Sequence, residues 1–385
     1  TDEEINEFYK NKFYDYQDPL DHYQYTVEGN VTYTALLFIP KKAPYDLYTE
    51  KYEKGLQLYT KGVFIMDKCK ELLPDYLRFV KGIVDSSDLS LNISREMLQH
   101  DRQLTKIASN LEKKVVKHLE SMQNDEPDKY KEFFEALGIN LKFGVYNNYG
   151  EKKDLLQNLL MYKSLKNDTL ISLKDYVLNM KDDQKYIYYV SAKSKDAVLA
   201  MPQMDALKNK DYDVLILTDD VDEFVIQIIN KFEDKEFKSV NQGDLDLLSD
   251  EEKKTAEKVQ KENAPLIEKI KAALGDKVKD VVISSRLTDS PVCLVSGDGI
   301  SFEMEKVMND LPNGSNVKAD RILEINPNHQ IIKVLDSIKD DDEKLKDYST
   351  VLLDQALILE GFKVENPNEF VQKMCKIMAE ANNLQ

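Results

Sequence analysis

The sequence predicts a mixed α/β (α+β) protein, and three patterns support this fold class. Residues 23–39 alternate apolar and polar side chains around a Glu-Gly-Asn turn, which is typical of a β-hairpin. Residues 104–122 place apolar side chains on one helical face. Two short apolar runs, 186–190 and 213–217, flank a segment of helical spacing at 196–208. That order indicates a β-α-β unit with parallel strands.

Length, charge and cysteine content set the broad class. The chain has 385 residues, enough for two or three domains with their own cores. Its formal net charge of −17 disfavours nucleic acid and anionic membrane surfaces as partners. No apolar run is long enough to cross a bilayer. Cys69, Cys293 and Cys375 are too far apart for a disulfide framework, so we expect a cytoplasmic protein.

The first predicted domain covers residues 1–125. Thr1 and Glu4 have the spacing of a capping box and predict a helix at the start of the chain. Strands follow at 23–39 and 56–66, and helical spacing is present over 72–84. We expect these elements to form an α/β sandwich.

The second predicted domain covers residues 126–262. Helices between 129 and 163 lead into a small α/β unit, which contains the β-α-β segment and a helix at 222–232. Neither a G-x-x-x-x-G-K-[ST] nor a G-x-G-x-x-G phosphate loop is present. Ser249 and Glu252 predict a second capping box, and its helix is expected to end before Pro265, at the domain boundary.

The third predicted domain covers residues 263–385. It has a helix at 264–274 and strands at 278–284 and 292–296. An amphipathic helix follows, and its apolar stripe consists of Ile300, Met304, Val307, Met308 and Leu311. Such a stripe usually packs into the core of its own domain.

The chain ends in two helices, one at about 343–360 and one capped by Asn366. Each has an apolar seam, represented by Leu352, Ala356 and Leu359 on the first and by Phe370, Met374 and Ile377 on the second. Two helices from each of two chains could bury these seams as a four-helix bundle, which predicts a homodimer. The alternative is that both helices pack only on their own domain.

Arg95 is unusual in a chain that has 53 basic residues but only five arginines. It follows a polar loop at 85–88. A planar guanidinium suits phosphate oxygens and can stabilise charge during phosphoryl transfer. The alternative is an ordinary ion pair with one of the many carboxylates.

Three segments around Arg95 resemble the middle domain of the ninety-kilodalton heat-shock chaperones. They are GVFIMD at 62–67, ELLP at 71–74 and FVKGIVDS…LNISREMLQ at 79–99. The resemblance implies that Arg95 reaches the γ-phosphate of ATP held with Mg²⁺ in a separate N-terminal domain. It also implies that Gln99 supports the same catalytic loop. This chain alone should therefore hydrolyse no ATP.

The resemblance extends through the rest of the chain. LTDSP at 287–291 and the helix after it are similar to the family's C-terminal domain, whose helix contacts unfolded client proteins. The resemblance therefore implies that unfolded clients bind to Ile300, Met304, Val307 and Met308. Glu223 and Phe224 match an acidic-aromatic pair that bacterial members use for clients, although those members commonly have tryptophan there. LLDQALILEG at 352–361 resembles the family's dimerisation helix.

Two functional hypotheses follow. The first is an ATP-driven folding machine that works as a homodimer with its own N-terminal nucleotide domain and with other chaperones. The second is a dimeric binding scaffold that holds partners without a nucleotide cycle. The scattered histidines argue against a metal site. The chain also lacks the acidic tail of eukaryotic cytosolic members, which favours a bacterial member of the family.

Overall fold

The computed structural model describes residues 1–90, 101–312, 314 and 316–383. The chain divides into two compact units. The first comprises Thr1–Met161, Leu170–Lys174 and Phe224–Ile229. The second comprises Tyr162–Thr169, Asp175–Glu223 and Asn230–Gln385. The three-domain division expected from the sequence stays a prediction.

The first unit contains a five-stranded sheet. Its strands are β1 (Asp21–Val27), β2 (Tyr33–Ile39), β3 (Leu56–Thr60), β4 (Val63–Cys69) and β5 (Lys81–Ser86), in the spatial order β1-β2-β5-β3-β4. β1 and β2 form the predicted antiparallel hairpin, in which Val27 pairs with Tyr33. β3 and β5 pair in parallel.

The helix predicted over 72–84 is wrong. The chain forms two short 3₁₀ turns, Lys70–Leu72 and Asp75–Leu77, and then enters β5. Side chains of β5 alternate between half-buried and buried, which is the period of a strand. Gly82 also fits this packing, because a Cβ atom there would clash with the carbonyl oxygen of Leu36.

Helices complete the first unit. They are α1 (Asp2–Phe13), α2 (Arg102–Asp125), α3 (Pro127–Leu137), α4 (Ile139–Tyr146) and α5 (Lys153–Leu156). The capping box predicted at the start of the chain is confirmed at α1. α2 buries the apolar face that the sequence predicted, including Leu104, Ile107 and Leu111.

The segment from Met161 to Ser239 builds a second sheet. Its strands are β6 (Met161–Ser164), β7 (Leu170–Ser172), β8 (Ile187–Ser191), β9 (Leu215–Leu217), β10 (Lys231–Phe232) and β11 (Lys235–Ser239). The accompanying helices are α6 (Leu173–Leu178), α7 (Lys195–Leu199), α8 (Asp205–Lys210) and α9 (Asp222–Ile229). β8 lies between β9 and β11 and is parallel to both, so the predicted β-α-β unit is confirmed.

The C-terminal segment packs helices around a three-stranded sheet. Its elements are α10 (Asp250–Leu274), β12 (Asp280–Ile283), β13 (Val292–Ser296), α11 (Phe302–Asp310), β14 (Arg321–Ile325), α12 (Gln330–Ser337), α13 (Asp342–Leu359) and α14 (Pro367–Asn383). β14 is central, parallel to β12 and antiparallel to β13. The core joins apolar residues of α10, β14 and α13, with Ile270, Leu323 and Leu353 among them.

The expectation that a helix ends before Pro265 is also wrong. α10 begins at the predicted capping box and continues through Pro265 to Leu274. An interior proline costs about 3 kcal/mol. Four buried side chains follow it, namely Leu266, Ile267, Ile270 and Leu274. Each contributes about 1.5–3 kcal/mol when it is fully buried, which offsets the cost of the proline.

The predicted mixed α/β fold class is confirmed by these helices and sheets. Both incorrect predictions, the helix over 72–84 and the helix end before Pro265, arose where burial in the folded chain outweighed a local sequence preference. In the part of the chain that the structure describes, no helix is long and apolar enough to span a bilayer.

Candidate functional site

Arg95 and Gln99 lie outside the described residues, so their predicted roles stay predictions. The chain on both sides of their segment is anchored. On one side, the buried Ser86 hydroxyl donates to the Thr32 carbonyl oxygen at 2.8 Å. On the other, Asp101 caps α2 by accepting the backbone N–H groups of Gln103 and Leu104, each at 2.8 Å.

The predicted client helix is α11, and its start is well defined. Ser301 is the N-cap, and its hydroxyl accepts the backbone N–H of Met304 at 3.1 Å. Glu303 and Glu305 lie in the first turn, where negative charge is favoured by the helix dipole.

Four members of the apolar stripe around α11 are buried or half-buried, whereas the last one, Leu311, is 59% exposed. Met304 is only 7% exposed, and Ile300, Val307 and Met308 are half-buried. Phe302, which the sequence analysis did not place in the stripe, is 2% exposed and belongs to the C-terminal core. The usual core interpretation therefore holds for the first turn of the helix in the conformation seen here.

A buried ion pair also fixes α11. Glu305 accepts hydrogen bonds from Arg321 Nη2 at 2.7 Å and from Arg321 Nη1 at 3.1 Å. It also accepts the Ala319 N–H at 2.6 Å. The Arg321 guanidinium in turn lies over the Phe362 ring, 4.7 Å from its centroid. This pair was not predicted from the sequence, although the scarcity of arginine could have drawn attention to Arg321.

Glu223 is buried, with 5% exposure, and its predicted role in client binding stays a prediction. It accepts hydrogen bonds from the Ser191 hydroxyl at 2.5 Å and from the Ser301 hydroxyl. Burial raises the pKa of Glu223, and the two hydroxyl donors oppose that shift. The structure thus brings Glu223 to the N-cap of α11.

Phe224 is half-buried and belongs to the first unit. Its ring makes an edge-to-face contact with Tyr146, with centroids 5.8 Å apart. Glu223 and Phe224 are adjacent in sequence but lie in different compact units.

A second buried carboxylate, Glu360, lies close to Glu223. Both line a cavity of about 50 Å³ that is also lined by Lys306. Glu360 accepts hydrogen bonds from the side-chain amides of Gln203 and Asn241, the latter at 3.3 Å. Burial raises the pKa of Glu360 to about 7. Sequence reasoning missed Glu360, because nothing near it in sequence marks it as buried.

The six residues predicted for the dimer interface fall into two groups, which differ in their burial. Leu352 and Ala356 belong to the core of their own domain, so their burial needs no partner chain. Leu359 is 57% exposed, and Phe370, Met374 and Ile377 are half-buried. Large apolar side chains that are exposed on the same two helices are Ile358, Val371 and Met378. These residues were not predicted from the sequence, and they extend the exposed apolar surface of the two helices.

Metal and thiol chemistry gain no support from the described ranges. These ranges contain no group of three or more His, Cys, Asp or Glu residues that could hold a metal ion. Cys293 is buried beside Glu324, and burial raises the pKa of its thiol well above the ordinary value.

Comparison with known proteins identifies the family. A family model described as Hsp90 protein matches residues 1–385. The chain belongs to the Hsp90 family. It is 49% identical to the chaperone protein HtpG of Clostridium botulinum (strain Langeland) over 377 residues, which are 98% of this chain and 60% of that protein. It is 47% identical to HtpG of Bacillus subtilis (strain 168) over 379 residues, with the same two shares.

The chain therefore spans about 60% of the length of the curated Hsp90 relatives it matches. HtpG of Clostridium perfringens (strain 13) gives the same shares at 48% identity. The family resemblance inferred from the sequence motifs, including its bacterial character, is confirmed by these matches.

Proposed function

We propose that this chain is the middle and C-terminal part of an ATP-dependent molecular chaperone that binds unfolded or partly folded proteins. The observation that carries the proposal is the Hsp90 match over all 385 residues. The chaperone names of its bacterial relatives support it. We place the nucleotide site, with ATP and Mg²⁺, in an N-terminal domain outside this sequence, and the protein in the cytoplasm.

In this proposal Arg95 stabilises the γ-phosphate of that ATP, and Gln99 supports the loop that carries Arg95. The anchored backbone at Ser86 and Asp101 supports the proposal, because hydrogen bonds fix the chain on both sides of the loop. A positioned arginine is effective because its charge is held where the transition state needs it.

We assign client binding to α11 and to Phe224. Ile300, Val307 and Met308 are half-buried and so retain some apolar surface. Methionine is flexible and polarisable, which suits a surface that must adapt to many sequences. Buried Met304 joins this surface only if the start of α11 moves.

We assign homodimerisation to α13 and α14. Leu359, Val371 and Met378 are large apolar side chains that are more than half exposed in the single chain. Association with a second copy would remove this surface from water. Phe370, Met374 and Ile377 lie on the same helix as Val371 and can contribute to that interface.

The alternative function is a dimeric holding scaffold without a nucleotide cycle. It shares the client and dimer surfaces with the main proposal, and differs only in the role of ATP.

ATP turnover distinguishes the two functions. We expect no turnover by this chain alone, and turnover when an N-terminal nucleotide domain of a bacterial relative is fused before Thr1. We also expect ATP to change the affinity of the fused protein for a reduced, carboxymethylated and therefore unfolded protein. Equal affinity with and without ATP would favour the holding scaffold.

A further inference from the structure

The N-terminus of α11 is attached to a carboxylate from a distant part of the chain. Ser301 Oγ donates to Glu223 Oε2, which is 78 residues earlier in the sequence. The same Ser301 Oγ accepts the backbone N–H of Met304 at 3.1 Å. One hydroxyl therefore caps the helix and also ties it to Glu223.

The other carboxylate oxygen of Glu223 is hydrogen-bonded to the end of strand β8. Ser191 Oγ donates to Glu223 Oε1 at 2.5 Å, and Ser191 is the last residue of β8. A continuous hydrogen-bonded path thus runs from the end of β8 through Glu223 to the first turn of α11. We call Ser191, Glu223 and Ser301 the clamp.

The clamp lies next to the most deeply buried part of the apolar stripe. Phe302 and Met304 follow directly after Ser301 and are 2% and 7% exposed. Val307 and Met308, one turn further along, are half-buried. Within α11, which starts at Phe302, the exposure of the apolar side chains thus increases with distance from the clamp.

The buried carboxylate of Glu223 is only partly compensated, which favours a hydrogen bond to Ser301 that can be broken and re-formed. Burial of an ionised carboxylate is unfavourable, and two hydroxyl donors offset only part of that cost. Lys306 stabilises the negative charge through space, whereas Glu303 opposes it. Because these contributions oppose one another, the hydrogen bonds of Glu223 compensate its burial less completely than an ion pair would.

We propose that Glu223 regulates client binding by clamping the start of α11 to its own domain. In the clamped state Phe302 and Met304 are unavailable, and an unfolded polypeptide gains access to them when the Glu223–Ser301 hydrogen bond breaks. Glu223 is thus a positioning residue, which acts through Ser301 rather than by touching the client. The inference rests on the proposed client-binding function of α11.

Two variants break the clamp in different ways. Glu223→Ala removes the acceptor and leaves the helix cap intact. Ser301→Asp keeps a side chain that caps helices well but places a second carboxylate against Glu223. Ser191→Ala is the matched control, because it removes a donor to Glu223 without touching α11. Thermal unfolding establishes that each variant folds.

Amide hydrogen exchange of residues 303–308 measures release of the helix without any client. We expect exchange to rise at least about tenfold in Glu223→Ala and Ser301→Asp, and to rise less in Ser191→Ala. Wild-type exchange rates in both clamp variants would overturn the inference.

Binding of reduced, carboxymethylated α-lactalbumin to the same proteins separates this inference from the proposed function. Faster exchange together with tighter binding supports both. Faster exchange with unchanged, measurable binding overturns the regulatory role of Glu223. If no variant and no wild-type protein binds the unfolded probe, the proposed function itself fails, while the exchange data still decide whether the clamp exists.

Discussion

Three buried glutamates in the second unit differ in the groups that stabilise their negative charge. Glu305 is fully paired with Arg321, Glu223 accepts two serine hydroxyls, and Glu360 accepts two side-chain amides. Amide and hydroxyl donors compensate a buried charge less completely than a guanidinium does. Accordingly, burial raises the pKa values of Glu223 and Glu360.

Glu360 makes stability depend on pH. Its pKa rises from 4.5 to about 7 on folding, so the folded state binds this proton more tightly. The resulting stabilisation is fully present below about pH 4.5 and is lost as the pH rises through about 7, with a total of at most about 3 kcal/mol. We expect Glu360→Gln to flatten the pH dependence of the unfolding free energy between pH 5 and 8, measured in urea.

The control for Glu360 is Glu257→Gln at an exposed position of α10. That variant should retain the wild-type pH dependence. An unchanged slope in Glu360→Gln would show that this carboxyl does not titrate in the neutral range.

Arg95 is tested through ATP turnover of the protein fused to a nucleotide domain. Loss of an arginine that contacts the γ-phosphate lowers turnover by about a thousandfold or more in other phosphoryl-transfer systems. We expect Arg95→Ala to cause a large loss in kcat with little change in KM. Arg102→Ala, which changes an exposed arginine of α2, is the matched control. Equal turnover in the two variants would remove Arg95 from the mechanism.

Hydrogen-bonded pairs of residues that are close in sequence could be predicted from the sequence, and pairs that are distant in sequence could not. Thr1 with Glu4 and Ser249 with Glu252 form capping boxes that a spacing of three residues already reveals. Glu305 is hydrogen-bonded to Arg321, which lies 16 residues later in the sequence. Glu223 is hydrogen-bonded to Ser301, which lies 78 residues later. Such pairs depend on the tertiary fold, which the local pattern does not encode.

At the scale of elements, α2 begins at a well-defined N-cap. Asp101 accepts two N–H groups of its first turn. We expect Asp101→Ala to lower the unfolding free energy by about 1 kcal/mol, because both groups lose their acceptor. Asp101→Asn retains a capping oxygen and should cost much less in the same urea titration. Equal losses in both variants would point to charge rather than capping.

The elements α13 and α14 carry the proposed dimer. Sedimentation should show a dimer for the full chain and a monomer when residues 341–385 are removed. Because that truncation also removes core residues of α13, point variants are the sharper test. We expect Met378→Glu and Val371→Glu to weaken dimerisation at least about tenfold, since both side chains are more than half exposed in the single chain.

Leu178→Glu is the control for these variants, because Leu178 is an exposed leucine, at 72%, on a different helix. It should leave the sedimentation profile unchanged. A monomeric wild-type chain, or dimers that tolerate both charged variants, would contradict the dimer assignment.

The elements also show where sequence patterns stop being sufficient. The β1–β2 hairpin and α2 were predicted because their periodicity extends over many residues. β5 was taken for helix because its few apolar residues fit both periods. α10 was cut at Pro265 because the four buried side chains that stabilise it beyond that point belong to a core formed by distant segments.

At the scale of the whole molecule, family membership and site geometry contribute different information. The Hsp90 match shows the family, and the chain spans about 60% of the length of its bacterial relatives. Residue burial then shows that α11 is docked, with Met304 covered and Glu223 attached to its N-cap. Sequence similarity alone could indicate the helix but not its docked state.

Binding of unfolded protein to α11 can be measured by fluorescence anisotropy with labelled, reduced and carboxymethylated α-lactalbumin. Met308→Glu places a charge on the half-buried side of α11, and Leu178→Glu places the same charge on an exposed leucine elsewhere. We expect at least about tenfold weaker binding for Met308→Glu and wild-type binding for Leu178→Glu. Wild-type affinity in a folded Met308→Glu protein would contradict it.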